Sequence, residues 1–404
     1  MVAGRTDQLG IRPAHLHIVE PALAARVAAP AFDTLPVEER MARATDPLSY
    51  LNVLHTPDGL GHLARNRRTL ERLLADGVFA DGAGPRFAWY RLAIGDHAQT
   101  GLVAEVAIRD YDEGRIVRHE HTRAELEEDL AAFQRHVAAD ASPVALAYRA
   151  DARMRAHARE ATAGPPHLRF TSDDGVEHTV WITAGADEVR DVCAAAVGLP
   201  RLYVTDGHHR FAAAARVAAT ARAAGSGPDA ADQWLLAALF PDDELRILPF
   251  HRAVARLRGT TTADLLGALA GYVEVTTLEH PDAPDHPHTF TAFVDGGWFR
   301  LAVPPDAVGV DPLDALAVSV LQEHVLAPVF GVLEPRIDPR LTYVAGDAVA
   351  VASHCVRHRA VGFMVRPTTM HELMTVADTD AVMPPKSTLF SPKTRAGIVL
   401  RLIA

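Results

Sequence analysis

Apolar positions along the chain alternate between strand-like and helix-like spacing, an order that predicts a mixed α/β protein. Residues 60–74 place apolar side chains at helical spacing, with Arg65, Arg67, Arg68 and Arg72 on polar positions, which predicts an amphipathic helix. Residues 87–92 and 101–108 are apolar, aromatic and β-branched. They flank a polar stretch containing Gly95-Asp96, the pattern of a long hairpin. Ile116 and Val117 lead into Arg118-His119-Glu120-His121-Thr122, after which Leu126, Leu130 and Phe133 mark a helix over 123–136. Thr122, with Glu125 three residues on, predicts a capping box for that helix.

An apolar run at 144–148, a helix ending at Gly164-Pro165-Pro166 and a hairpin turning at Asp173-Asp174-Gly175 come next. Leu202-Tyr203-Val204 reads as a short buried strand. It runs through Asp206-Gly207 into an Ala-rich helix that ends near Ala224. Residues 235–240 and 245–248 are expected to pair as strands, closing on Pro249-Phe250-His251-Arg252, which reads as a strand end with a surface pair. Beyond Thr260 the pattern predicts a helix over 262–270, a strand over 272–276, a hairpin over 289–303 and a helix over 314–326, with mixed α/β structure to the end. These shifts suggest three parts: an N-terminal α/β region (1–85), a core (86–258) and a C-terminal α/β domain (259–404).

Composition narrows the function. A net charge of -11 without a Lys/Arg run argues against a nucleic-acid partner. Two cysteines, Cys193 and Cys355, are too few for a disulfide framework or thiolate metal cage and fit a reducing compartment. The first residues do not resemble a signal peptide, and no apolar stretch approaches a membrane span, so a cytoplasmic location is expected. Of 40 basic residues only two are lysines, Lys386 and Lys393. A drift from Lys to Arg codons explains the scarcity but not where the survivors sit. A lysine is a compact point charge that an arginine fork does not replace.

Asp206-Gly207-His208-His209-Arg210 is the strongest chemical signal. A buried strand turning at a glycine into a helix presents backbone N–H groups beside two histidines and an arginine, an arrangement suited to phosphate. It is neither a Gly-x-x-x-x-Gly-Lys-Ser/Thr loop nor a Gly-x-Gly-x-x-Gly turn. In Arg118-His119-Glu120-His121-Thr122 an extended strand would put His119 and His121 on one face and Glu120 on the other. Spacing alone leaves Glu120 either a general base or part of a helix cap. Met383-Pro384-Pro385-Lys386-Ser387-Thr388 is a proline-stiffened loop whose Lys386, Ser387 and Thr388 offer donors to a phosphate or carboxylate.

Together with Val27-Ala28-Ala29-Pro30-Ala31-Phe32-Asp33, His119-Glu120-His121-Thr122 and Leu248-Pro249-Phe250-His251-Arg252, these motifs resemble a large bacterial family of unknown function. That family looks related to the free serine kinases, which have a ParB/sulfiredoxin-like fold and phosphorylate free serine. The resemblance implies an α/β (α+β) chain with a ParB/sulfiredoxin-like nucleotide-binding core between flanking α/β regions. It implies Glu120 as catalytic base, Asp206 and His209 as catalytic partners, and Gly207, His208, His209 and Arg210 around the nucleotide phosphates. Asp206 would also hold Mg2+, with ATP or ADP as phosphate donor. His119, Thr122, His251, Arg252, Lys386, Ser387 and Thr388 are further candidates for substrate or phosphate contacts. The implied partner is a small amino acid, and a homodimer is a candidate assembly. The sequence departs from the family pattern after the His-Glu motif, where Glu127, Glu128 and Asp129 stand in place of a Lys and an Asp-Arg pair.

The leading expectation is thus a small-molecule kinase. One alternative is a ParB-like nucleotide-binding switch without transfer activity. Another is a metallohydrolase built on His119, His121, His208 and His209.

Overall fold

The computed structural model describes residues 8–30, 35–54, 62–82, 84–183, 185–256 and 259–403. The chain forms two compact units, Met1–Leu245 with Pro392–Ala404, and Arg246–Ser391.

The first unit is built on a mixed sheet in the order Ile116–Val117, Leu202–Asp206, Val144–Tyr148, Trp234–Pro241, His97–Ala107, Ala88–Ile94, Glu177–Ile182 and Leu168–Thr171, with Ile11–Arg12 added beside His97–Ala107. Trp234–Pro241 is buried along its whole length. Its Leu235, Ala237 and Leu239 enter one apolar cluster and Leu236, Ala238 and Phe240 the other, as expected of a strand covered on both faces. One cluster includes Phe211, Ala214 and Ala218 of the helix His208–Ala223. The other takes in Ile398, Val399 and Leu400, because Val399–Leu402 pairs with His17–Val19 and with Ala139–Asp140 in a second, smaller sheet.

Several elements lie close to where periodicity put them. Ala88–Ile94 and His97–Ala107 form a hairpin turning at Gly95-Asp96, and the helix expected over 123–136 is Ala124–Val137. The strand at Val144–Tyr148 stands as expected, and Leu202–Asp206 extends the strand expected there.

The second unit carries a six-stranded antiparallel sheet in the order Glu274–Leu278, Gly297–Ala302, Thr289–Val294, Ala360–Met364, His251–Ala255, Leu341–Val344. The helix Ala348–His358 packs on it through Val351 and Cys355. At Gly362 a Cβ would lie 2.5 Å from the Val351 side chain, so only glycine lets helix and strand approach this closely.

Two expectations are corrected here. Residues 245–248 do not pair with 235–240: both edges of Trp234–Pro241 are taken by neighbours, and Ile247–Leu248 pairs with Leu389–Phe390. The helix expected from residue 314 starts at Ala317 and widens into a π turn at Gln322–Leu326, which keeps Val325 and Leu326 buried alongside Val320 and Leu321. No helix among the described residues is long and apolar enough to cross a membrane.

Candidate functional site

The site in the first unit forms where the strand Leu202–Asp206 passes through Gly207 into the helix His208–Ala223. Gly207 sits at φ +95°, and a Cβ there would meet the Arg210 guanidinium at 2.8 Å. Glycine is therefore needed twice, for the left-handed turn and for Arg210 to fold back over it. Gly207 at the N-cap offers no side-chain cap to the first-turn N–H groups of this helix.

Asp206 is the hub. Its Oδ2 accepts from Arg210 at 2.7 Å and its Oδ1 from Lys393 at 2.5 Å. Burial on its own would raise this carboxyl, but Lys393 and then Arg210 outweigh it and hold the group below the ordinary range. Arg210 is anchored further: one of its terminal nitrogens donates to the Ser142 carbonyl, to Ser142 Oγ at 2.8 Å and to the Pro143 carbonyl at 3.2 Å. Magnesium, expected on Asp206, does not fit the residue as it stands, since each of its oxygens carries a cation. Among the described residues no group of three or more His, Cys, Asp or Glu side chains is disposed to hold a metal ion.

Glu120 follows Ile116–Val117, the edge strand that pairs in parallel with Leu202–Asp206. The chain bends at His119-Glu120 instead of continuing as a strand. His119 is buried and His121 exposed, so the expectation that they share a face fails: the period of two holds only while the backbone stays extended. The bend places Glu120 Oε2 3.9 Å from His208 Nδ1, with the Glu120 side chain 47% exposed. His119 and His208 meet edge to face, ring centroids 4.5 Å apart.

Thr122 is not a cap, because Arg123 takes the N-cap position and Thr122 Oγ1 donates to Glu127. His209 Nε2 accepts from the Arg123 backbone N–H at 3.2 Å, tying the start of the helix Ala124–Val137 to His208–Ala223. The same two helices are joined by Arg216, which pairs with Glu127 and Glu128, so these acidic residues serve helix packing.

Burial drives His119 and His208 neutral. His119 is pushed down to about 4, partly restored by its bond to the Val204 backbone. His208 is held well below the ordinary value by burial and then by His119. His178, hydrogen-bonded to Tyr90 and Ser172, and His251 are lowered by burial as well. Unfolded histidine protonates near 6.5. As pH falls below that value the unfolded chain takes up protons that these rings refuse, so stability should decline from about pH 6.5 down to about 4, where His119 itself titrates. The His119 share reaches roughly 3 kcal/mol at the bottom of that window. Urea midpoints should fall steadily between about pH 7 and pH 5, less so for His119→Gln; midpoints that stay flat would mean the rings are charged in the fold.

The remaining candidates belong to the second unit. His251 and Arg252 are buried in the strand His251–Ala255, not a surface pair, because the neighbouring strands cover them. His251 uses both ring nitrogens, Nε2 on the Gly346 carbonyl at 3.0 Å and Nδ1 accepting from Val365 N–H at 3.2 Å. Arg252 donates to the Phe250 and Pro385 carbonyls and lies over the Tyr343 ring. Burial lowers it to about 10, so it stays charged at neutral pH. Two of the sequence motifs thus meet, with Arg252 clamping the proline loop. In that loop Ser387 Oγ donates to Pro384 O at 2.7 Å, while Lys386 is exposed at φ +54°, 5.4 Å from the Phe250 ring centroid. Thr388 follows it before the strand Leu389–Phe390.

Sequence reasoning favoured Lys386 and passed over Lys393, although scarcity of lysine marked both. Lys393 lies in the segment that returns to the first unit, beside Ala396, whose backbone pairs with Ala29 of the first motif. The Ala31-Phe32-Asp33 part of that motif lies outside the described residues.

Fold and site define a mixed α/β protein with an anion-suited strand-to-helix junction. The chain belongs to the family described as "Protein of unknown function (DUF1015)", whose model matches residues 11–321. No curated protein matches it in sequence. Among solved structures it is similar to a free serine kinase variant in complex with ADP, at 12% identity over 73% of this chain and 91% of that one, TM-score 0.36. A conserved hypothetical protein from Pyrococcus furiosus is similar at 13% identity over 74% and 95%, TM-score 0.35. SbnI with a C-terminal truncation, from Staphylococcus aureus, is similar at 13% identity over 73% and 85%, TM-score 0.37.

Proposed function

We propose that this protein is a small-molecule kinase that moves the terminal phosphoryl group of a nucleotide, ATP or ADP, to the hydroxyl of free serine or a related amino acid, on a ParB/sulfiredoxin-like core. The observation that carries this reading is the juxtaposition at one strand-to-helix junction of a half-exposed carboxylate, Glu120, with the start of the helix His208–Ala223 and its Asp206, Arg210 and Lys393 cluster. Phosphoryl transfer requires positioning and charge neutralisation more than covalent participation, and these residues supply both.

In the reaction the acceptor oxygen forms the new O–P bond and its proton passes to Glu120. The bond from the terminal phosphorus to the bridging oxygen breaks, and the shortened nucleotide departs with that electron pair. His208, a neutral ring beside Glu120, leaves the carboxylate as the local proton acceptor. Phosphorus NMR of the protein with ATP, ADP or CTP and a panel of amino-alcohols tests the proposal, the expected product being O-phosphoserine or a close analogue. Nucleotide binding without any phosphomonoester would overturn the kinase and favour the switch.

A further inference from the structure

We propose that Lys393 is a phosphate-binding residue of this site and that Asp206 positions its ammonium rather than holding a metal. The inference rests on the nucleotide reading above and deepens it.

The geometry separates the two cations on Asp206. Arg210 is built in, with one nitrogen serving three oxygens of Ser142 and Pro143 and the guanidinium lying over Gly207. Among the described residues the Lys393 ammonium bonds Asp206 alone. An ammonium has three donors, so two N–H groups remain for an outside acceptor. The Lys393 side chain is 24% exposed, which leaves those donors reachable.

Two cations against one carboxylate leave the cluster with net positive charge, directly before the glycine-capped start of the helix His208–Ala223. A terminal phosphate needs such a charge-assisted donor, and lysine supplies it as a point charge on a flexible stem. The backbone around Lys393 fixes where that stem begins. Pro392 O accepts from Gln99, Thr394 Oγ1 donates to Pro143 O, and Arg395 pairs with Asp174 at 2.7 Å. Lys393 is thus held between anchored neighbours on the same Pro143 wall that anchors Arg210.

Calorimetric titration of the full chain with adenosine, AMP, ADP and ATP tests this, comparing wild type with Lys393→Met and Lys393→Arg. Affinity in the wild type should climb with phosphate number. Lys393→Met should weaken ADP and ATP roughly 10- to 100-fold while adenosine and AMP change little, and Lys393→Arg should restore part of the difference. A variant that keeps the full gain from AMP to ADP would overturn the proposal, whereas a wild type that binds no adenine nucleotide at all would sink the functional reading beneath it.

A second measurement avoids substitution at this position. With two lysines in the chain, 13C-lysine-labelled protein gives two side-chain Cε signals, assigned with Lys386→Arg. The Lys393 signal should shift on adding ADP and not on adding adenosine; a signal unmoved at saturating ADP would count against the role even if Lys393→Met fails to fold.

Discussion

Replacing Glu120 by Gln is expected to slow phosphoryl transfer about 10²- to 10⁴-fold while nucleotide affinity stays within a few-fold of wild type. The amide keeps the size and hydrogen-bonding reach of the carboxylate but cannot accept the acceptor's proton. Its surroundings favour a specific loss: Glu120 sits in a bend, half exposed, beside His208, a histidine that burial keeps neutral. The side chain is 47% exposed, so the change should move stability little. Single-turnover measurement at saturating nucleotide separates the chemical step from binding. If Glu120→Gln turns over within threefold of wild type, roughly the scatter of such measurements, Glu120 is not the base. If affinity collapses instead, the residue holds nucleotide and the assignment of roles is reversed.

The elements of this fold were largely legible because their signals are local. The helix expected over 262–270 stands as Thr262–Ala270, and Gly95-Asp96 turns the hairpin between two apolar runs. Pairing was less so. Nothing near Ile247 indicates that its strand partner is Phe390, and the error of pairing 245–248 with 235–240 came from preferring the nearest neighbour in sequence.

The site shows the same limit. Asp206, Gly207 and His208 announce themselves as a strand-to-helix junction, but the commitment of Arg210 to Ser142 depends on a contact across 68 positions, and Lys393 reaches Asp206 across 187. Around Glu120 the strand ends at Val117 and a bend follows, because two extended residues do not guarantee a third. Scarcity marks both lysines alike, and only the fold shows that Lys393, not Lys386, reaches Asp206. Composition of a loop says which donors it has, not what they face.

The largest stability effect is expected at Arg401, which the sequence presents as one polar residue in an apolar strand. Its side chain is 2% exposed and binds Glu105, Asp140 at 2.6 Å, and the carbonyls of Trp234 and Ala231. Glu105 and Asp140 are themselves nearly inaccessible, and Glu105 has a second partner in Arg12 whereas Asp140 has no other cation among the described residues. Arg401→Met would preserve much of the packing volume, strand Asp140 in the interior and leave Glu105 with Arg12 alone. Removing one partner of a buried pair costs about 3–5 kcal/mol, because the charge left behind stays desolvated. For a unit of this size that lowers the melting temperature by on the order of 10 °C. Combining Arg401→Met with Asp140→Asn should recover a large part of the loss, since the stranded charge is then gone. A single variant melting with wild type would mean water reaches the cluster. The consequence extends to the site: Arg401 fixes the strand Val399–Leu402, and the segment from Pro392 that carries Lys393 runs directly into that strand. Loosening at Arg401 should therefore weaken the Lys393–Asp206 pair from eight residues away, visible as a shift of the Lys393 Cε signal in the folded variant.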